Sequence, residues 1–118
     1  MAESETECRR DRALRDSFSS AREIEQARDR SLEMIKGRIE SASLRMRQLE
    51  QREKDLSRAI ASYGKGVSPA GLHADLESVR AEEASVAATH ARYTREFEET
   101  GRKYEGDKAR WIELRASR

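Results

Sequence analysis

The segment Gly64-Lys65-Gly66 is the first place where residue types suggest chemistry, because a lysine between two glycines can contact a phosphate group. A phosphate-binding loop needs the spacing GxxxxGK[ST] after a strand, and this segment has neither feature. We therefore interpret it as the connection between two helices, with an exposed lysine.

The other residues that could support catalysis or bind a metal are isolated from one another. His90 lies on an apolar helix face, where we expect it to pack against Ala42, and Glu83 is two turns away on the same helix. His73 is expected to be exposed near a helix start, and Cys8 is expected to be an inert free thiol in a reducing compartment. No nucleophile, base and oxyanion site come together. We therefore predict a protein that is not an enzyme and has no cofactor, metal or small-molecule substrate.

The composition points to a helical, solvated chain. The 118 residues carry a net charge of +1, with 40% charged and 36% hydrophobic residues, which is typical of a long helix or coiled coil. No run of about 18 apolar residues is present, so no membrane span is predicted. The charged residues at 1–15 argue against a signal peptide, and we expect a cytoplasmic protein. The near-zero net charge argues against a dedicated nucleic-acid binder.

Glycine and proline divide the chain into two predicted helices. Gly64 and Gly66 suit a helix end, and Ser68 with Pro69 suits a helix start. The predicted helices span about 9–63 and 69–117, and the short turn at 64–68 requires them to be antiparallel.

A heptad pattern of apolar residues predicts how the two helices pack. The seam, as we call these positions, has Glu53 as a polar exception in the first helix and Glu83, Thr100 and Asp107 as polar positions in the second. A bend or fraying is predicted near Gly101 and Gly106. The first helix contributes Leu32, Ile35, Ile39, Ala42, Met46, Leu49, Glu53, Leu56, Ile60 and Tyr63. The second contributes Leu72, Leu76, Val79, Glu83, Val86, His90, Tyr93, Phe97, Thr100, Tyr104, Asp107, Trp111 and Leu114.

Folding the chain about residue 66 pairs seam positions whose numbers add to about 132, which places Ala42 opposite His90 and Ala21 opposite Trp111. Small residues opposite bulky ones favour close packing. The predicted fold class is an all-α antiparallel two-helix coiled-coil hairpin, with 9–118 as a single domain. Residues 1–8 are predicted to be a disordered arm. The first helix begins near residue 9 or at Ser20, where a capping box occurs, and the longer helix is favoured.

Two sets of surface residues are candidates for binding other proteins. In a hairpin the termini meet, so a basic end is predicted to dock an acidic partner. Apolar and small residues off the seam are predicted to bind a second copy of the chain or a partner helix. The basic end comprises Arg9, Arg10, Arg12, Arg15, Arg110, Trp111, Arg115 and Arg118. The self-association set comprises Met34, Leu44, Ala84 and Ala91.

The start of the second helix, Leu72-x3-Leu76-x2-Val79-Arg80-x2-Glu83-Ala84, is similar to the second helix of the stalk proteins of type III secretion and flagellar export ATPases. This resemblance implies a helical rod that enters an ATPase ring by its termini. The layout also resembles tubulin-binding cofactor A, a small helical bundle that holds β-tubulin, which implies a chaperone-like role.

Taken together, these features predict a non-catalytic protein–protein interaction module, such as an assembly adaptor, a stalk or a chaperone-like binder. The alternative from another class is a protein that binds a membrane surface or nucleic acid through its basic end. Salt-dependent binding would distinguish that alternative.

Overall fold

The structure, a computed structural model, describes residues 2–64 and 66–117, with side chains from Ser4 onward. The described residues form three helices and contain no strand, so the predicted all-α class is confirmed. No helix among them has a stretch long and apolar enough to cross a membrane. The helices are α1 (Ala2–Ser17), α2 (Ala21–Ala61) and α3 (Ala70–Ala116).

The chain divides into two compact units, and the single domain at 9–118 stays a prediction. Unit 1 comprises Met1–Lys36 with Arg95–Arg118, and unit 2 comprises Gly37–Thr94. Both α2 and α3 contribute residues to each unit. Each unit therefore contains one segment of α2 and one of α3.

The prediction of one continuous helix from about residue 9 to residue 63 is wrong, because the helix is interrupted between Ser17 and Ala21. The Ser20 hydroxyl accepts a hydrogen bond from the Glu23 N–H at 3.2 Å, and the Ser19 N–H donates to the Glu23 carboxylate at 3.0 Å. Serine side chains compete for backbone groups in this way and favour a helix start over a helix interior. The alternative start at Ser20 is therefore the correct one for α2.

In the structure α1 begins at Ala2, within the segment 1–8 that the sequence predicts to be a disordered arm. Glutamate, arginine and alanine dominate α1, and these residues have high helix propensity. Contacts from α1 to α3, including an ion pair between Asp11 and Arg110, add the tertiary support that a short helix needs.

The connection between α2 and α3 follows the glycines, as predicted for 64–68. Gly64 has a φ of +55°, the left-handed conformation that glycine adopts without strain. The Gly66 N–H donates a 2.7 Å hydrogen bond to the Tyr63 carbonyl. Lys65, the lysine of the glycine segment, lies outside the described residues.

The predicted seam coincides with the buried face of α2 and α3. Every seam position is buried or half-buried except Tyr63, which is 44% exposed. In unit 2 the centre is an apolar cluster against which Ile60, Leu72 and Val86 pack. The cluster consists of Leu49, Leu56, Leu76 and Val79.

The core of unit 1 contains one residue that the seam omits. Ile24 is 1% exposed, whereas Glu25, which continues the heptad spacing of the seam one heptad before Leu32, is half-buried. An α-helix has 3.6 residues per turn, so its inner face drifts relative to a strict heptad. An isoleucine one position from a polar seam residue is the signal that could have identified it.

Within unit 1, polar contacts show that α2 and α3 lie side by side in opposite directions. Lys108 Nζ lies 2.8 Å from a Glu25 carboxylate oxygen, and Arg28 forms an ion pair with Glu105. The partner numbers in α3 fall as those in α2 rise, so the two segments are antiparallel.

Candidate docking site

The link between α1 and α2 is held in place by two side chains of α3. Trp111 is 8% exposed, and its indole N–H donates a 3.1 Å hydrogen bond to the Phe18 carbonyl. Arg115 donates to the Ser19 carbonyl at 3.3 Å, and its guanidinium lies 5.0 Å from the centre of the Trp111 ring. The carbonyls that the helix break leaves without a helical partner are therefore bonded by side chains.

An ion pair with two hydrogen bonds fixes α1 against α3. Arg110 Nε lies 3.0 Å from Asp11 Oδ1, and Arg110 Nη2 lies 2.7 Å from Asp11 Oδ2. Arg110 also donates to Glu113 at 2.9 Å. The hydrogen bond from Arg110 holds the pKa of Asp11 below its ordinary value of 3.8, so Asp11 is ionised at neutral pH. Arg110 is therefore shared between two carboxylates, those of Asp11 and Glu113.

A groove lies between α1 and α3 beside this ion pair, and we call it the α1–α3 groove. Leu14 and Phe18 give it apolar, half-buried surface, while the cations Arg10 and Lys103 are exposed. Such a combination of apolar and basic groups can bind an amphipathic acidic segment. The groove is lined by Arg10, Asp11, Ala13, Leu14, Ser17, Phe18, Lys103, Asp107 and Arg110.

The α1 arginines of the predicted basic end are exposed. Arg9, Arg10 and Arg12 are exposed, and none forms an ion pair with another residue that the structure describes. Arg15 is 3.9 Å from its neighbour Asp16, a long contact between two exposed side chains. Arg9 and Arg12 also line a second depression along α1.

The α3 members of the predicted basic end have different roles. Arg110 is engaged with two carboxylates, and Arg115 with the Ser19 carbonyl. Trp111 is buried, so its ring packs within unit 1 instead of contacting a partner directly. Arg118 lies outside the described residues. The described members of the predicted basic end therefore differ: the arginines of α1 are exposed, whereas Arg110, Trp111 and Arg115 contact other residues of unit 1.

Sequence reasoning missed the groove itself, because α1 was expected to continue into α2. Leu14 and Phe18 continue the apolar pattern of the first predicted helix, so their spacing was a usable signal. Lys103 could be placed beside them only after the break at Phe18 was known.

The four predicted self-association residues are exposed. Met34, in unit 1, is 63% exposed, and Leu44, in unit 2, is 50% exposed. Ala84 and Ala91, also in unit 2, are exposed on α3. Whether a second copy binds there stays a prediction.

The histidines and the cysteine that could support catalysis or bind a metal lie apart from one another in the chain. Ser68 Oγ lies 2.5 Å from His73 Nε2, in the turn that begins α3. His90 is half-buried on the seam, and Cys8 is an exposed free thiol. Among the described residues, no three histidine, cysteine, aspartate or glutamate side chains converge as metal ligands would.

A second groove in unit 1 contains Leu32 and Phe97 but suits an acidic partner less well. Its Arg28 is already paired with Glu105 and Asp29. The α1–α3 groove is the stronger candidate, because Arg10 and Lys103 in its lining form no ion pair with another described residue and Arg10 adjoins the exposed Arg9 and Arg12 of α1.

Comparison of the sequence with protein-family models and with curated proteins finds no match, and comparison with solved structures finds none either. The two family resemblances therefore stay predictions.

Proposed function

We propose that this chain is a non-catalytic helical module that binds an acidic, amphipathic segment of a partner protein through α1 and the α1–α3 groove. The observation that carries the proposal is a set of three exposed arginines, Arg9, Arg10 and Arg12, that form no ion pair with another described residue and lie next to half-buried Leu14 and Phe18.

The contrast with the rest of unit 1 supports this assignment. Where α2 faces α3, Arg28 and Lys108 each have a carboxylate partner. On α1, Asp11 forms its ion pair with Arg110 of α3 rather than with Arg9, Arg10 or Arg12. An acidic helix that places apolar residues on Leu14 and Phe18 would bring its carboxylates to these cations. Complementary charge of this kind mainly speeds association and selects the partner.

The scaffold in this proposal is an antiparallel coiled-coil hairpin formed by α2 and α3. Its support is the antiparallel contacts of Glu25 with Lys108 in unit 1, and the apolar cluster together with the Arg45–Glu82 ion pair in unit 2. In this proposal α1 lies at the end of the hairpin that contains the chain termini and binds the partner there. The protein would then act as an adaptor, a stalk or a chaperone-like protein.

Crosslinking in lysate of the native cell tests the proposal. A photoreactive residue at Ala13, which lines the groove, should capture a protein that the same residue at exposed Ser57 does not. Reversal of Arg9, Arg10 and Arg12 to glutamate should abolish the capture. A matched control reverses three exposed arginines of α2 that have no ion pair with a described residue and should leave it intact. The control arginines are Arg47, Arg52 and Arg58.

The melting temperature should change little in both triple variants, because exposed charges contribute only about 0–1 kcal/mol each. Capture that survives the α1 reversal would contradict the proposal. Nuclease treatment and removal of membranes before crosslinking would eliminate a nucleic-acid or lipid target but keep a protein partner. Loss of capture at that step would favour the alternative class.

A further inference from the structure

The apolar interface of unit 2 contains two carboxyl groups at facing positions. Glu53 lies between Leu49 and Leu56 on α2, and Glu83 lies between Val79 and Val86 on α3. Those four apolar neighbours belong to the cluster at the centre of the unit or pack against it. Both glutamates are half-buried.

One carboxylate oxygen of Glu83, Oε1, is buried and has no hydrogen-bond partner among the described residues. The group that faces this side chain from α2 is the Glu53 carboxyl. Two ionised carboxylates repel and offer no donor, whereas one shared proton makes a hydrogen bond between them. One proton shared by Glu53 and Glu83 would therefore replace a repulsion between two carboxylates with a hydrogen bond.

The surrounding charges act in the same direction. A proton shared with the facing Glu53 carboxyl, burial, and the negative charges of Glu53 and Glu50 raise the pKa of Glu83 above its ordinary value of 4.5. Arg80, on the same helix as Glu83, is the positive group that opposes them. The combined effect of these groups is a raised pKa of Glu83.

Unit 1 has the opposite arrangement, because its interhelical carboxylates face cations. Glu25 lies 2.8 Å from Lys108, and Asp11 is paired with Arg110. Hydrogen bonds from these cations lower the pKa of Glu25 below 4.5 and that of Asp11 below 3.8. Protonation of either carboxylate would remove an interhelical ion pair.

We propose that the Glu53–Glu83 pair is a proton-operated clamp, which tightens the packing of α2 against α3 in unit 2 under mild acid while unit 1 loosens only under stronger acid. The two units of one chain thereby respond to acidification with opposite signs and at different pH.

The signs follow from which state binds the proton more tightly. Folded unit 2 holds the Glu83 proton more tightly than the unfolded chain, so this stabilisation is full below pH 4.5 and is lost as the pH rises through the higher folded pKa. For Glu25 and Asp11 the folded pKa is the lower one. Their stabilisation is present above pH 4.5 and pH 3.8, respectively, and is lost as the pH falls through the folded values.

Amide hydrogen exchange of the full-length protein, corrected for intrinsic rates, reports each unit separately. As the pH is lowered from neutral toward 4.5, protection of amides at 49–56 and 76–86 should rise by about twofold or more, with unit 1 unchanged. Below about pH 4, protection in 22–32 and 104–114 should fall.

Variants that replace a glutamate by glutamine test whether the pH response of unit 2 comes from the Glu53–Glu83 pair. Glu83→Gln should raise unit 2 protection at neutral pH and abolish its dependence on pH, and Glu53→Gln should do the same from the other helix. Glu77→Gln removes an exposed carboxylate from the same segment of α3 and should behave as wild type. Unit 2 protection that does not rise on mild acidification would overturn the proposal. A rise that persists in both Glu83→Gln and Glu53→Gln, or that unit 1 shows equally, would overturn it as well.

Discussion

The indole N–H of Trp111 donates a 3.1 Å hydrogen bond to the main-chain carbonyl of Phe18, which joins α3 to the link between α1 and α2. The carbonyl belongs to a helix break, where a backbone acceptor has no partner within its own helix. One side chain therefore bonds a backbone carbonyl of the helix break and also holds α1 where its arginines adjoin the α1–α3 groove.

Replacing this donor should destabilise unit 1. Trp111→Phe keeps an aromatic ring but leaves the Phe18 carbonyl without its hydrogen bond, and we expect a loss of about 1–3 kcal/mol. Urea denaturation followed by circular dichroism measures this loss. Ile112→Val, at a position that is 48% exposed, is the control and should change stability by less than about 0.5 kcal/mol. Equal stability of Trp111→Phe and wild type would show that the hydrogen bond contributes nothing.

The start of α2 should depend on Ser20. Ser20→Ala removes the acceptor of the Glu23 N–H and should cost about 0.5–2 kcal/mol. Ser57 is exposed and lies away from the start of the same helix. Ser57→Ala should leave the protein's stability unchanged or raise it slightly, because alanine is the better helix former. Thermal melts of the two variants make the comparison, and a Ser20→Ala melt no lower than that of Ser57→Ala would contradict the cap.

Alanine substitution should raise the protein's stability at Gly37, within α2, and lower it at Gly64, in the turn after α2. Gly64→Ala places a side chain at a φ of +55° and should destabilise by about 1 kcal/mol. Gly37 lies within α2, and an added Cβ there meets nothing within 4 Å. Gly37→Ala should therefore stabilise by about 0.5–1 kcal/mol. Melts that move in the same direction for both variants would be inconsistent with this account.

Overpacking should distinguish the buried face from the exposed one. Ala42 is 8% exposed, so Ala42→Leu should force a rearrangement that costs about 1–3 kcal/mol. Ala88→Leu, on the exposed face of α3, should change stability by less than about 0.5 kcal/mol. Similar denaturation midpoints for the two variants would argue against close packing around Ala42.

Self-association should depend on the exposed apolar residue Leu44. If two copies of the chain meet there, Leu44→Glu should shift sedimentation toward the monomer and leave helicity intact. Gln48→Glu adds the same charge to exposed α2 without removing apolar surface, so it should preserve the assembly. A wild-type chain that sediments as a monomer at high micromolar concentration would remove the basis for this surface.

The sequence by itself determined which faces of the long helices are buried. Heptad spacing is a local property, because residues three and four apart share a face whatever the helix packs against. For that reason Leu49, Leu56, Leu76 and Val79 could be assigned to the core without a structure, and all four are buried. The glycines near residue 64 and the capping box at Ser20 were equally readable, since both act within one turn.

Only the tertiary structure decided that the N-terminal segment forms a separate helix, α1, that contacts α3. The helix-forming residues of α1 and the heptad phase favoured one continuous helix, and the local serine cap competed with them. Packing then resolved the competition, because the Phe18 and Ser19 carbonyls bond to Trp111 and Arg115, which are more than ninety residues away. Ion pairs depend on the same approach of distant segments, so the sequence could not show that Arg110 binds Asp11 while the α1 arginines remain exposed.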